Sequence, residues 1–285
     1  MPYVTMKEVL AKAKKEKYAV GAFDIFDQLS MKAVVEAAAE TKSPVIIQVL
    51  PPVVDYFGAG TIAGWARQLA DDYARVPMVL HLDHGRKIEM VYQCIDAQWG
   101  SVMMDASDRP LDENISVTRK VVEKAHAAGI TVEGEIGCIF SVDEKKEVRE
   151  KEDNLASVPS CSRYFQETGI DALAPAIGTA HGLYKDVPRI DYSRLEEIGR
   201  AVNLPMVIHG GTGLTDQDFR TLVKSGAAKI NIWTQICIEF CDAMRAFAKT
   251  DPPSNDPIAF TRIAAERIRK RTTEFIRVFG SEGKA

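Results

Sequence analysis

The chain has 285 residues, 46% of them apolar and 27% charged, which is enough to bury a substantial core and suits one large α/β barrel as well as two smaller domains. Its net charge of -4 supplies no basic field for nucleic acid or an anionic membrane surface, so neither is an expected partner. Cys94, Cys138, Cys161, Cys237 and Cys241 are odd in number and contain no CxxC pair, and the N-terminal MPYVTMKEVLAKAKKEK has no signal-peptide apolar run. Reduced cysteines and a cytoplasmic location are therefore expected, with no segment long and apolar enough to span a bilayer.

Short apolar strands alternate with amphipathic helical stretches along the chain. Tyr18 to Phe23 reads as the first strand, Val45 to Val49 as the second and Met78 to Leu82 as the third, with helices over Leu29 to Thr41 and Ile62 to Tyr73 between them. Ser101 to Asp105, Thr131 to Glu135, Ala172 to Ile177, Pro205 to His209 and Ala228 to Ile232 continue the period. A helix from Asp112 to Ala127 opens on acidic residues and stops before Gly129. Eight βα units without a Pro/Gly linker predict an α/β fold, a closed (β/α)8 TIM barrel forming a single domain over residues 1–285. The connection from Cys138 to Ser160, rich in acid and lysine, reads either as a lid or as a solvated charged helix. At the end, Ile258 to Phe279 predicts an additional basic C-terminal helix, with Ile258, Ile263, Ile268, Phe275, Ile276 and Phe279 as apolar positions that pack on a neighbouring copy or close the barrel floor.

The densest chemistry lies in PMVLHLDHG, Pro77 to Gly85, where an apolar strand runs into His81, Asp83 and His84. Carboxyl ends of parallel strands open onto the binding crevice. Strand alternation sends His81 and Asp83 to one side and His84 to the other or into the loop. Asp105, Glu135, His181 and His209 fall on the same rim, whereas His126 lies inside a helix and reads as structural. Three imidazoles from three loops, His84, His181 and His209, are what a catalytic zinc requires, with a fourth position left for water or substrate. Asp105 and Glu135 would support those ligands or form a second metal position. The alternative is three histidines packed at the barrel mouth without metal. GTAHG (Gly178 to Gly182) and HGGTG (His209 to Gly213) bring backbone close to a ligand, with Thr179 and Thr212 as donors, and read as anion cradles beside KINIWT at strand eight.

HLDHG, SVMMD, VEGEIG, AIGTAHGLYK, HGGTG and KIN followed by Thr234, in this order over nearly the whole chain, resemble the class II, zinc-dependent ketose-bisphosphate aldolases, which cleave fructose or tagatose 1,6-bisphosphate to dihydroxyacetone phosphate and an aldehyde. The resemblance implies zinc on His84, His181 and His209, an alternative metal position for a second divalent or monovalent cation at Asp105 and Glu135, and Asp83 as the proton donor. It implies that Gly182, Lys185, Gly210, Gly211, Thr212, Asn231, Ile232, Trp233 and Thr234 bind the sugar phosphate, that Asp143 or Glu144 is the lid acid, and that the protein is a homodimer or homotetramer.

Four departures bear on the substrate: Asp24 where the family often has Asn, Leu50 in place of a serine, Phe140 and Ser141 in place of a glycine pair, and Trp233 where a small or acidic residue is usual. They direct attention to the aldehyde half. A Schiff-base aldolase would need a desolvated lysine, for which Lys185 and Lys229 are available. A barrel that kept its zinc and phosphate loops but lost turnover is the non-enzymatic alternative, against which the intact Asp83 argues.

Overall fold

The computed structural model describes residues 3–142, 154–184, 188–249 and 255–285. Eight parallel strands close into a barrel in sequential order, β1 to β8. They are β1 Val20–Ile25, β2 Val45–Val49, β3 Met78–Gly85, β4 Ser101–Met104, β5 Thr131–Ile136, β6 Ala172–Pro175, β7 Met206–Ile208 and β8 Ala227–Ile232. Each of the eight sequence-derived strands is found, with ends shifted by a few residues. Closure is made by β1 on β8, where Val20 faces Lys229 and Phe23 faces Ile232.

Among the described residues the helices are α1 Met6–Glu16, α2 Gln28–Thr41, α3 Pro51–Phe57, α4 Ala59–Asp72, α5 Ile88–Asp96, α6 Leu111–Ala127, α7 Val158–Thr168, α8 Tyr192–Val202, α9 Asp216–Lys224, α10 Thr234–Phe247 and α11 Pro257–Phe279. Their starts follow local chemistry. Asp27 accepts from the Ser30 backbone N–H at 2.8 Å ahead of α2, and Thr215 and Asp218 form a reciprocal capping box on α9. Asp256 caps α11 through two backbone N–H groups, Pro257 opens it, and Gly280 ends it in the left-handed region.

The main apolar layer lies between strands and helices, where Phe23, Ile25, Ile47, Leu80, Leu82, Val102 and Ile232 meet the inner faces of the helices. A second cluster fills the lower barrel interior with small residues such as Ala22, Val79, Ala172, Ala174 and Val207, and Met6, Val9, Leu10 and Ala13 of α1 plug it from below. The barrel floor is therefore closed by α1. Helix α11 instead runs along the outside against α2 and α10, and the Phe279 carbonyl at its end accepts from Ala19 N–H at 3.0 Å. Ile268, Ile276 and Phe279 are buried there, while Ile258 and Ile263 at the start of the helix are exposed. No helix among the described residues is long and apolar enough to cross a membrane.

Higher in the barrel the interior changes character. Asp24, Gln48, His81, Glu133, Lys229 and His209 are all buried, forming a polar stratum above the alanine and valine floor. That stratum supports the rim.

Candidate active site

Strand β3 carries the centre. Its pairing with β4 shifts register between Leu82 and Gly85, and His84 takes a left-handed backbone with φ of 49°, uncommon for any residue other than glycine. That twist overrides strand alternation. His84 Nε2 comes to 3.8 Å from Asp83 Oδ2, and His81 Nε2 stands 3.9 Å from Asp83 Oδ1, so all three polar residues join one cluster. The next residue has no room for a side chain, since a Cβ on Gly85 would stand 2.7 Å from the Met103 carbonyl and crowd Leu82 and Val91 of the outer apolar layer.

His84, His181 and His209 arrive from the ends of three strands, each offering a ring nitrogen, and these nitrogens all lie within 4.8 Å of one another. Two of the rings are held from behind. His84 Nδ1 meets Asp105 Oδ2 at 2.9 Å, and His209 Nε2 meets Glu133 Oε1 at 2.9 Å, which turns His84 Nε2 and His209 Nδ1 toward each other, 3.0 Å apart. Carboxylates that orient the far nitrogen of an imidazole are the usual support of a metal ligand. Asp105 is itself fixed by the Ser107 N–H and hydroxyl and by the Gly85 carbonyl, which accepts from its N–H at 2.9 Å.

Electrostatics fit a cation at this point. Burial, with the nearby His84 charge, lowers His181 to about 4 and holds His209 well below the ordinary range, which favours neutral rings with a nitrogen lone pair free for a cation. Burial opposes charge on His84 too, but Asp83, Asp105 and Glu135 outweigh it and raise that ring to about 10. Burial and Asp105 push Glu135 up to about 8, and its Oε2 is buried without a hydrogen-bond partner. Three imidazole donors ringed by carboxyl groups, one with an orphaned oxygen, suit a divalent ion of the zinc type. His84, Asp105 and Glu135 form a second possible ligand group, although the oxygens of Asp105 are already committed to His84 and Ser107.

A third group, His81, Asp83 and Glu133, is occupied by the protein itself. Lys229 Nζ lies 2.8 Å from Glu133 Oε2 with both side chains fully buried, and an ammonium in that place neutralises the carboxylate. The same contact removes Lys229 as a free nucleophile for Schiff-base chemistry. His81 is braced by Ser101 through Nδ1 at 2.7 Å. His126 lies apart from the site and bonds Asp171 at 2.8 Å.

The two glycine loops are tied together. Tyr184 Oη accepts from Ala180 N–H at 2.7 Å and donates to the Gly210 carbonyl at 2.8 Å. Gly210 has φ of 72°, and a Cβ there would collide with the Ala180 backbone, so only glycine lets the loops approach. The chain beyond β5 also anchors the His181 loop: His181 N–H donates to the Phe140 carbonyl and Val142 N–H to the His181 carbonyl, at 2.9 and 2.8 Å.

These elements surround a cleft of about 420 Å³ lined by Asp24, Leu50, Asp83, His84, Arg86, Asp105, Glu135, Ser141 and His181, and by Gly182, Gly210, Gly211, Thr212, Asn231, Trp233 and Thr234. Trp233 thus faces the cleft, resting edge-on against Phe26 at 6.3 Å between ring centroids. Two expectations change. Thr179 does not line the cleft, and the Ile232 side chain, which strand parity turns outward, packs in the apolar layer and contributes at most backbone. Asp143, Glu144 and Lys185 lie outside the described residues. Glu133 and Gln48 are supporting residues that sequence patterning passed over, and it gave no sign that Lys229 pairs with Glu133 or that Ser101 braces His81.

Fold and site together define a (β/α)8 barrel with a histidine-rich candidate metal centre, an adjacent carboxyl group and two joined glycine-rich loops. A family model described as fructose-bisphosphate aldolase class-II matches residues 4–284. A 6-phospho-5-dehydro-2-deoxy-D-gluconate aldolase from Bacillus licheniformis is 37% identical over 100% of this chain and 97% of its own length. A probable fructose-bisphosphate aldolase from Bacillus subtilis is 38% identical over 100% of both. Among solved structures, the YdjI aldolase of Escherichia coli K12 superposes with a TM-score of 0.88 at 29% identity, covering 99% of each chain. The chain belongs to the class II fructose-bisphosphate aldolase family and is a class II aldolase, a carbon–carbon lyase.

Proposed function

We propose that this aldolase is zinc-dependent and cleaves a phosphorylated ketose reversibly into dihydroxyacetone phosphate and an aldehyde. The observation that carries the reading is the convergence of the His84, His181 and His209 nitrogens within 4.8 Å, beside Asp83 and between two joined glycine loops. In this proposal those three histidines hold the ion, with Asp105 and Glu135 as support or as an alternative cation position. When bound, zinc supplies Lewis-acid stabilisation of the negative charge that develops as the C3–C4 bond breaks.

The remaining roles belong to the chain. Asp83, held through Oδ1 by the Asn231 amide at 3.3 Å, takes the proton of the C4 hydroxyl in cleavage and returns it in condensation. As the C3–C4 bond breaks, its electron pair moves into the ketone half, and C3 then takes a proton, for which Asp143 or Glu144 is the proposed donor. Gly182, Gly210, Gly211, Thr212 and Thr234 hold the phosphate of the dihydroxyacetone half through backbone N–H groups and hydroxyls, with the N-terminus of α10 beside them. Lys185 is proposed to reach the same anion.

Relatives carry the names of two different substrates, so the ketose is the variable. The indole of Trp233 at the cleft wall supports a substrate other than fructose 1,6-bisphosphate. We further infer a cytoplasmic protein acting as a single domain and a homodimer or homotetramer. Activity across ketose phosphates, with and without EDTA, tests the reading: chelator-sensitive release of dihydroxyacetone phosphate from one of them supports it, and undiminished cleavage in EDTA overturns it.

A further inference from the structure

The cleft floor around Asp83 is rich in acceptors that lack donors. Asp24 of β1 and Gln48 of β2 stand at one register position, both fully or almost fully buried. Gln48 Nε2 donates to Asp24 Oδ2 at 3.1 Å, and Asn231 Nδ2 donates to Asp83 Oδ1 at 3.3 Å. Each amide spends its NH₂ on a carboxyl group, which leaves its carbonyl oxygen over. As a result Asp24 Oδ1, Gln48 Oε1 and Asn231 Oδ1 are buried oxygens without a hydrogen-bond partner. Such atoms are costly unless a ligand completes them, and Asp24 and Asn231 both line the cleft.

The retro-aldol step gives Asp24 nothing to do. Among the described residues, what lines the cleft with it is poorly suited to a second anion. Leu50 and Trp233 line the same cleft as Asp24 with apolar side chains. Arg86, the one lysine or arginine among the described lining residues, lies 3.4 Å from Asp105 on the β3–β4 rim. Burial and the neighbouring Asp83 keep the Asp24 carboxyl well above the usual carboxylate range. A hydroxyl both donates and accepts, so it completes Oδ1 in either protonation state. A phosphate dianion or a carboxylate only accepts, so it completes Oδ1 only when Asp24 carries a proton there, and it would bring further negative charge beside Asp83.

We propose that Asp24 selects the aldehyde half of the substrate: Oδ1 bonds a hydroxyl on the carbon next to the one that becomes the aldehyde, and Leu50 and Trp233 close that end to a phosphate or carboxylate. The substrate class is then a ketose phosphorylated only on its dihydroxyacetone end, with a neutral hydroxylated tail. This inference rests on the aldolase reading above.

Condensation with dihydroxyacetone phosphate tests it on the zinc-loaded full chain. The acceptors are both enantiomers of glyceraldehyde and of lactaldehyde, propanal, glyceraldehyde 3-phosphate and malonate semialdehyde. The natural protein should give kcat/KM for glyceraldehyde at least about tenfold above its 3-phosphate and malonate semialdehyde, and should favour lactaldehyde over propanal by a similar factor, because an unmatched polar group in a buried site discriminates strongly. Asp24→Ala should abolish the preference for lactaldehyde over propanal. Asp24→Asn, which places an amide donor at the Oδ1 position, should narrow the gap between glyceraldehyde and its 3-phosphate by about tenfold. A natural protein that prefers the phosphorylated aldehyde overturns the inference whether or not the variants fold, and so do variants whose acceptor ratios match the natural protein. No product with any aldehyde, together with no exchange of the dihydroxyacetone phosphate C3 proton in deuterium oxide, sinks the aldolase reading and the inference with it.

Discussion

Replacing Lys229 with Met removes one half of a fully buried ion pair in the barrel. Lys229 Nζ and Glu133 Oε2 are 2.8 Å apart with both side chains fully buried, and Glu133 uses its other oxygen on His209 Nε2 at 2.9 Å. Losing the ammonium leaves an uncompensated interior carboxylate, a change that costs about 3–5 kcal/mol in buried pairs. At roughly 2–4 °C per kcal/mol for a chain of this size, the midpoint should fall by about 6–20 °C. Adding Glu133→Gln removes the stranded charge while keeping an oxygen for His209, so the double variant should recover most of the loss. Urea unfolding of chelator-treated protein, run as a double-mutant cycle, isolates the pair from metal linkage. A loss below about 1 kcal/mol in Lys229→Met, the range of a solvent-exposed pair, would refute the reasoning, as would a double variant less stable than either single one.

Three further outcomes are expected. Asp83→Ala should keep zinc and ligand affinity, measured by calorimetry, but lose on the order of a hundredfold or more in kcat; unchanged kcat removes Asp83 from the mechanism. Trp233→Ala should raise kcat/KM for fructose 1,6-bisphosphate by about tenfold by opening the wall beside Leu50, and a fall on substitution would show that the indole belongs to the productive bisphosphate site. Light scattering at micromolar concentration should give the mass of a dimer or tetramer, with the exposed Ile258 and Ile263 of α11 as a candidate contact, and a monomeric mass counts against self-association.

The barrel was legible in the sequence because every strand is a short apolar run followed by an amphipathic helix, a pattern that few architectures share. The rim was legible because His84, Asp105, Glu135, His181 and His209 sit at the carboxyl ends of those runs, where the topology of any parallel barrel gathers them. What strand alternation could not reveal is which inward polar residues meet. Glu133 and Lys229 lie 96 positions apart on strands that are not neighbours, and their pairing follows from closure and register alone. The left-handed turn at His84 is local but equally hidden, since histidine adopts that backbone only occasionally. Ile232 was carried along with the motif, and the period of two along β8 turns its side chain outward, which leaves only its backbone to meet a ligand. The role of α1 as the floor plug was missed because its apolar face resembles that of any surface helix.

Metal content measured beside activity tests the His84, His181 and His209 centre most directly. Purified protein should carry about one zinc per chain, lose it and aldol cleavage together on dialysis against a chelator, and regain both on addition of about one equivalent, while His209→Ala should bind none. Stoichiometric zinc in His209→Ala, or full cleavage by chelated metal-free protein, would contradict the assignment.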